Sequence, residues 1–257
     1  MLLLVDAGNT RIKWAMLETA SLDAAALGHW SAYGTARRED LNKLGDIWHD
    51  AHIARVLISN VAGQAMHDGL EKMLLHAHGL KPVPLVWFQS VPELGGIQND
   101  YRNPAQLGCD RFAAAIGVHA LFPKQTLLVA TCGTATTLDA ITAEGHFIGG
   151  MILPGLELMA SSLARNTAQL PHATQQNVTL WPFADNTDDA IVSGCLSAQV
   201  GAIERAMAAL SVEHSAVKCI LSGGAASAIS PHLTVAHQMV DNLVLAGLQV
   251  VATQSRG

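Results

Sequence analysis

What this sequence has little of excludes several classes of protein. Only 14% of its 257 residues are charged and 5% are aromatic, while half are hydrophobic. That composition excludes a disordered chain, which lacks the apolar surface needed to offset the entropy of ordering. Basic residues are outnumbered, 15 against 21 acids, for a formal net charge of −6. A nucleic-acid binder needs a basic face to neutralise phosphates, so no nucleic-acid partner is expected. No apolar run is long enough to cross a bilayer, so no membrane partner is expected either. Met1 to Val5 is apolar, but Asp6 ends the run and no basic region precedes it, unlike a secretory signal. A soluble, cytoplasmic chain is expected. The four cysteines (Cys109, Cys132, Cys195, Cys219) form no CxxC pair, and the twelve histidines form no HExxH. Reduced, buried thiols are the expectation, not a metal centre. GxxxxGK[ST] and GxGxxG are both missing, so neither a P-loop nor a Rossmann site is supported.

What is there is an alternation of short apolar runs and turn signals. Strands are expected at 2–5, 12–17, 27–33, 55–60 and 84–88, with helices at 37–48 and from about 61 to 78. Asn103-Pro104 reads as a helix start, because asparagine caps and proline suits the first helical position. That helix is expected to run to about Leu121. The order then restarts. Strands are expected at 126–130, 135–141 and 146–153, and Pro154-Gly155 opens a helix. A long helix over 187–210 puts Val192, Leu196, Val200, Ile203, Met207 and Leu210 on one face. A strand at 218–221 and a helix over 242–251 close the chain. Leu2 to Gly8 aligns with Leu127 to Gly133 at an offset of 125 residues. A repeat of that length implies two similar domains, 1–122 and 123–257, and clefts between domains commonly bind ligands.

Two turns carry the candidate chemistry. In Asp6-Ala7-Gly8-Asn9-Thr10, Gly8 permits close backbone approach, the turn N–H groups suit anionic oxygens, and Asn9 and Thr10 add donors. A carboxylate beside phosphates repels them unless a cation intervenes. Mg²⁺ is the natural cation at Asp6, with Lys13 neutralising further charge. Taken alone, the segment reads as an ordinary hairpin turn. The second copy, Thr131 to Thr134, favours a pair of turns gripping a triphosphate. Asp110 and Arg111 are adjacent and do not face each other as an i,i+4 pair would. They read either as a solvated helix pair or as a base and an anion-binding group converging on one substrate.

The segments Asp6 to Thr10, Leu107 to Arg111 and Gly133 to Asp139 resemble type III pantothenate kinases, some of which were first described as Bvg accessory factors. Gly149 to Gly155, Thr167 to Pro171, Asn186 to Gly194 and Leu221 to Gly224 continue the resemblance in the family's order along almost the whole chain. It implies an α/β fold of two ribonuclease H-like domains, of the actin-like ATPase and sugar kinase superfamily, with ATP in the interdomain cleft. It implies phosphorylation of pantothenate by ATP to 4′-phosphopantothenate, the first step of coenzyme A synthesis.

The resemblance also implies roles for single residues. Asp6 belongs to the Mg²⁺ site, holding the ion through water, with Gly8, Asn9, Thr10 and Lys13 around the phosphates. Gly133, Thr134 and Ala135 form the second phosphate turn, and Gly223 and Gly224 lie toward the adenosine end. Asp110 matches the general base. Tyr101, Gly108 and Arg111 match the pantothenate pocket, and Thr187 is expected to reach the pocket of a neighbouring subunit in a homodimer. The family has an aspartate where this chain has Thr131, and that carboxylate goes with a monovalent cation, K⁺ or NH₄⁺. The neutral residue here puts that cation in doubt. Two rivals remain: a kinase of the same fold for another small hydroxylated acceptor, and a non-catalytic regulatory relative.

Overall fold

The computed structural model describes residues 1–18, 27–49, 51–77, 83–166 and 182–254. The chain opens with strands Leu2–Ala7 (β1), Arg11–Leu17 (β2) and Ala32–Arg37 (β3), then helix Leu41–His49 (α1). Strand Arg55–Asn60 (β4), helix Gln64–Ala77 (α2) and short strands Leu85–Trp87 (β5), Glu93–Leu94 (β6) and Ile97–Asn99 (β7) lead to helix Cys109–Leu121 (α3). Strands Leu127–Cys132 (β8), Ala135–Ile141 (β9) and His146–Pro154 (β10) follow, then helices Leu156–Asn166 (α4) and Thr187–Glu213 (α5). Strand Lys218–Ser222 (β11), helix Ala226–Ile229 (α6), strand His237–Met239 (β12) and helix Leu243–Gln254 (α7) end the order. The expected motif Thr167 to Pro171 and the end of the second helix near His78 lie outside the described residues.

Backbone contacts group the chain into two units. One holds Met1–Lys124, Gly145–Phe147 and the segment from Asn242 onward; the other holds Gln125–Glu144 and Ile148–Asp241. The first unit's sheet runs β3-β2-β1-β4-β5. β1 to β3 are antiparallel, while β4 lies parallel to β1, and β5 to β4. Leu2, Leu3, Leu4 and Val5 are all buried, because helices cover both faces of this strand. Leu3, Val5 and Ala7 pack with Leu44, Trp48, Leu70 and Leu74 of α1 and α2. By alternation, Leu2, Leu4 and Asp6 share the other face, the side of α3 and α7. Those two helices pack backbone to backbone: a Cβ on Gly247 would strike the Ala113 carbonyl.

In the second unit the strands run β12-β11-β8-β9-β10. Read from β10, this is the same spatial order as the first unit, and β1 and β8 have the same length at the 125-residue offset. Its core joins Leu128, Ala130 and Leu138 to Ile191, Val192, Leu196 and Ile203 of α5. The Asn186 side chain accepts from the Asp189 N–H at 3.0 Å, so α5 starts where a cap predicts. Among the described residues no helix is long and apolar enough to cross a membrane.

Three local expectations are corrected. The third strand is Ala32–Arg37, not 27–33. Gly28 has φ +81°, its N–H and the Trp30 indole N–H both bond to Gln249 Oε1, and the strand register is set by pairing with β2. The helix expected from 37 begins as a single 3-10 turn over Arg38–Asp40 before α1. Asn103-Pro104 caps only a 3-10 turn, Pro104–Gln106. Leu107 and Gly108 are then extended, so a fresh helix begins at Cys109.

Candidate active site

That break decides where Asp110 sits. It stands in the first turn of α3, where unbonded N–H groups favour a carboxylate, and its Oδ1 accepts from the Arg111 N–H at 2.8 Å. Burial raises its pKa above the ordinary aspartate value, opposed by that N–H bond and by the Arg111 charge. Gly108 matters sterically, since a Cβ there would lie 2.7 Å from Asp110 Oδ1.

Asp6 comes from the carboxyl end of β1. Its register partners are Lys13 across the hairpin and Ser59 on the parallel strand. Burial first, and the Asp110 charge second, raise its pKa to about 7, with Lys13 pulling the other way. Asp6 and Asp110, 104 positions apart in sequence, are therefore electrostatic neighbours. Ser59 and Cys109 tie β4 to the start of α3: Ser59 Oγ and Cys109 Sγ lie 3.4 Å apart, and the thiol donates to the Asn60 carbonyl at 3.6 Å. Burial pushes the Cys109 thiol pKa up, so this cysteine is a structural link and not a nucleophile. The first turn is closed by a Gly8 N–H to Arg11 carbonyl bond of 3.0 Å, leaving Asn9 and Thr10 exposed.

Arg111 is buried although charged. Its Nη1 donates to Tyr101 Oη at 3.0 Å, and its guanidinium lies 5.8 Å from the Tyr101 ring centroid and 5.7 Å from that of Phe147. The Asn99 side chain shapes the loop that presents Tyr101. It accepts from the Tyr101 N–H at 3.2 Å and donates to the Pro104 carbonyl at 3.1 Å.

In the second unit the turn after β8 is one residue shorter, closed by Gly133 N–H to the Ala135 carbonyl at 3.0 Å. Two distant segments pack on it. Gly155 donates its N–H to the Thr134 carbonyl at 2.9 Å, and a Cβ there would strike the carbonyls of Gly133 and Thr134. Gly223 has φ +94° and rests on the Cys132 backbone, so only glycine fits it without strain. A Cβ added at Gly224 would meet nothing within 4 Å. Thr187 is exposed at the first turn of α5, on the rim of a cavity of about 1010 Å³ walled by Leu158, Met159 and Leu163 of α4 and Ile191 and Cys195 of α5.

The structure thus assembles the expected residues into local groups: Asp6, Lys13 and Asp110; Tyr101 and Arg111; and Gly133, Thr134 and Gly223. Thr187 joins none of these groups and lies on the cavity between α4 and α5. Sequence reasoning missed Ser59 and Asn60. The signal for them was available, because β4 ends beside β1 and α/β sheets place ligands at carboxyl ends of strands. Phe147 gave no signal.

Comparison with known proteins gives the family and the fold. The family model for type III pantothenate kinase matches residues 2–209. A type III pantothenate kinase of Janthinobacterium sp. (strain Marseille) is 58% identical over 256 residues, covering 99% of this chain and 98% of the relative. One from Herminiimonas arsenicoxydans is 57% identical, covering 98% and 97%. Among solved structures, a protein from Sinorhizobium meliloti named as a 2-dehydro-3-deoxygalactonokinase superposes with a TM-score of 0.60 at 16% identity, over 100% of this chain and 99% of that one. A Baf family protein from Campylobacter jejuni superposes with a TM-score of 0.58 at 18% identity, over 98% of both chains. Those two likenesses show a shared fold over the whole chain.

Proposed function

The chain belongs to the type III pantothenate kinase family, and on that premise we propose that Asp110 is the general base with which it transfers the γ-phosphoryl group of ATP to the 4′-hydroxyl of pantothenate. It is a kinase of coenzyme A biosynthesis. The observation that carries the assignment is the pairing of Asp110 with Asp6, two carboxylates whose pKa values are both raised by burial. A base with a raised pKa is better matched to a hydroxyl proton at neutral pH. The pantothenate oxygen bonds to the γ-phosphorus, its proton passes to Asp110 Oδ, and the bond from the γ-phosphorus to the bridging oxygen breaks to release ADP. Phosphoryl transfer asks for positioning and charge neutralisation more than covalent chemistry. The turns at Gly8 to Thr10 and Gly133 to Ala135 supply donors for phosphate oxygens, Lys13 adds positive charge, and Gly223 and Gly224 serve the nucleotide. Tyr101, Gly108 and Arg111 form the pantothenate pocket.

The residues fit Mg²⁺. A carboxylate with a pKa near 7 is one that a cation would return to its ionised form. Mg²⁺ at Asp6 would neutralise phosphate charge. They do not fit a carboxylate-held monovalent cation. Thr131 is neutral, and Asp139, buried and paired in register with Val129, accepts from Thr137 Oγ1 at 3.4 Å. Ile148 and Ile152 on one face of β10, and Leu158 and Leu163 of α4, are exposed and apolar, which supports a homodimer with Thr187 serving a partner's pocket. The two units are taken as ribonuclease H-like domains of a cytoplasmic enzyme, not divided at one point near residue 122 as the repeat implies, because Gly145–Phe147 and the segment from Asn242 onward return to the first unit.

The test is ATP-dependent phosphorylation of pantothenate by the purified protein, with other hydroxylated acceptors as controls. Asp110→Asn keeps the shape and loses the base, so turnover should fall by about 10²–10⁴ with ATP affinity nearly unchanged. Wild-type turnover in this variant, with chemistry rate-limiting, would remove Asp110 from the role.

A further inference from the structure

Phe147, the second residue of β10, is the one buried side chain in a strand whose other eight residues are exposed or half-buried. It is 0% exposed, and its ring meets both the Tyr101 ring and the Arg111 guanidinium. The two rings meet edge to face at 5.7 Å and 64°, and the Arg111 guanidinium lies 5.7–5.8 Å from both centroids. The ring is fixed to the frame that fixes Tyr101. Phe147 pairs in parallel register with Asn99, its carbonyl accepts from the Asp100 N–H at 3.2 Å, and Asn99 holds the Tyr101 N–H.

We propose that Phe147 is a positioning residue for pantothenate, acting through Arg111: with Tyr101 it walls the guanidinium and holds its fork in one orientation. This rests on the reading that Arg111 belongs to the pantothenate pocket. A guanidinium removed from water gains from aromatic faces, and its planar fork matches a carboxylate only when its orientation is set. Pantothenate carries a carboxylate at the end remote from the hydroxyl that reacts. Loss of the wall therefore costs binding through mobility of the fork and leaves the chemical step intact.

The experiment measures kcat and both KM values for the wild type, Phe147→Met, Phe147→Tyr, Arg111→Ala and the double variant Phe147→Met with Arg111→Ala. Melting curves confirm folding, and Phe147→Leu replaces Phe147→Met should that variant not hold its fold. Methionine keeps the volume and removes the aromatic face. The pantothenate KM of Phe147→Met should rise about three- to tenfold, with kcat and the KM for ATP nearly unchanged. Phe147→Tyr should restore most of the affinity, and Phe147→Met should add little in the Arg111→Ala background. Three results overturn the proposal while leaving the pocket reading intact: an unchanged pantothenate KM in Phe147→Met, an equal loss in Phe147→Tyr, or effects that multiply in the double variant. An unchanged pantothenate KM in Arg111→Ala would instead refute the pocket reading, and the proposal with it.

Discussion

Replacing Asp6 with asparagine should make the ligand-free protein more stable, and increasingly so as the pH rises. The carboxyl of Asp6 titrates at about 7 in the folded chain against 3.8 when unperturbed, chiefly because burial disfavours its charge and secondarily because Asp110 is near. A folded pKa above the unfolded one means that the native state binds more protons between pH 4 and pH 7. Stability is then full below the unfolded pKa and is lost as pH rises through the folded one. At about 1.4 kcal/mol per pH unit, the loss above pH 7 has an upper bound of about 4 kcal/mol. Asp6 is only half-buried, and water responds to its charge, so about 1–2 kcal/mol between pH 5 and pH 8 is the working figure. Asparagine is nearly isosteric and never ionises, so it escapes this loss. For a chain of this length the expected gain in Tm is about 2–8 °C larger at pH 8 than at pH 5. The assay is thermal unfolding of both proteins at the two pH values in EDTA, without nucleotide. An equal Tm difference at pH 5 and pH 8 would refute the reasoning, because a packing or hydrogen-bond effect has no such pH dependence. The same substitution should raise the Mg²⁺ requirement for turnover at fixed ATP, so stability and function would move in opposite directions.

Two further outcomes are expected. Activity in a buffer of bulky organic cations should show no strong, saturable rise specific to K⁺, with choline chloride controlling for ionic strength. Thr131→Asp should introduce such a rise, because ion–carboxylate attraction exceeds ion–dipole attraction at similar distance. Mixing an inactive Asp110 variant with an inactive Thr187 variant should restore activity up to about a quarter of wild type, the statistical share of intact sites in hybrid dimers. No recovery, with subunit exchange demonstrated, would count against a shared site.

Much of the fold is legible locally. β1 and β8 are apolar runs ended by turn residues, and α5 starts at a capping asparagine with its apolar face at helical spacing. These features depend on neighbours within a few residues, and their repetition at a fixed offset revealed the duplication. The misplaced third strand shows the limit: 27–33 has strand composition, but a strand is fixed by its partner, and β2 pairs with Ala32–Arg37. Asn103-Pro104 shows the same limit, because a good cap starts a turn and does not decide how far the helix continues.

The chain's sequence by itself determined which residue types are available for the chemistry: two acidic positions in recognisable motifs, two glycine turns, an arginine beside one acid, and a threonine where the family has an aspartate. Only the tertiary structure decided what those groups are physically. It raised the Asp6 pKa, by burial first and by the charge of Asp110 second, and it brought Phe147 from β10 onto Arg111. It also pressed Gly155 and Gly223 against the second turn, which explains both glycines through backbone contact. Burial, field and close approach depend on distances between residues far apart in the chain, and no local pattern encodes those distances.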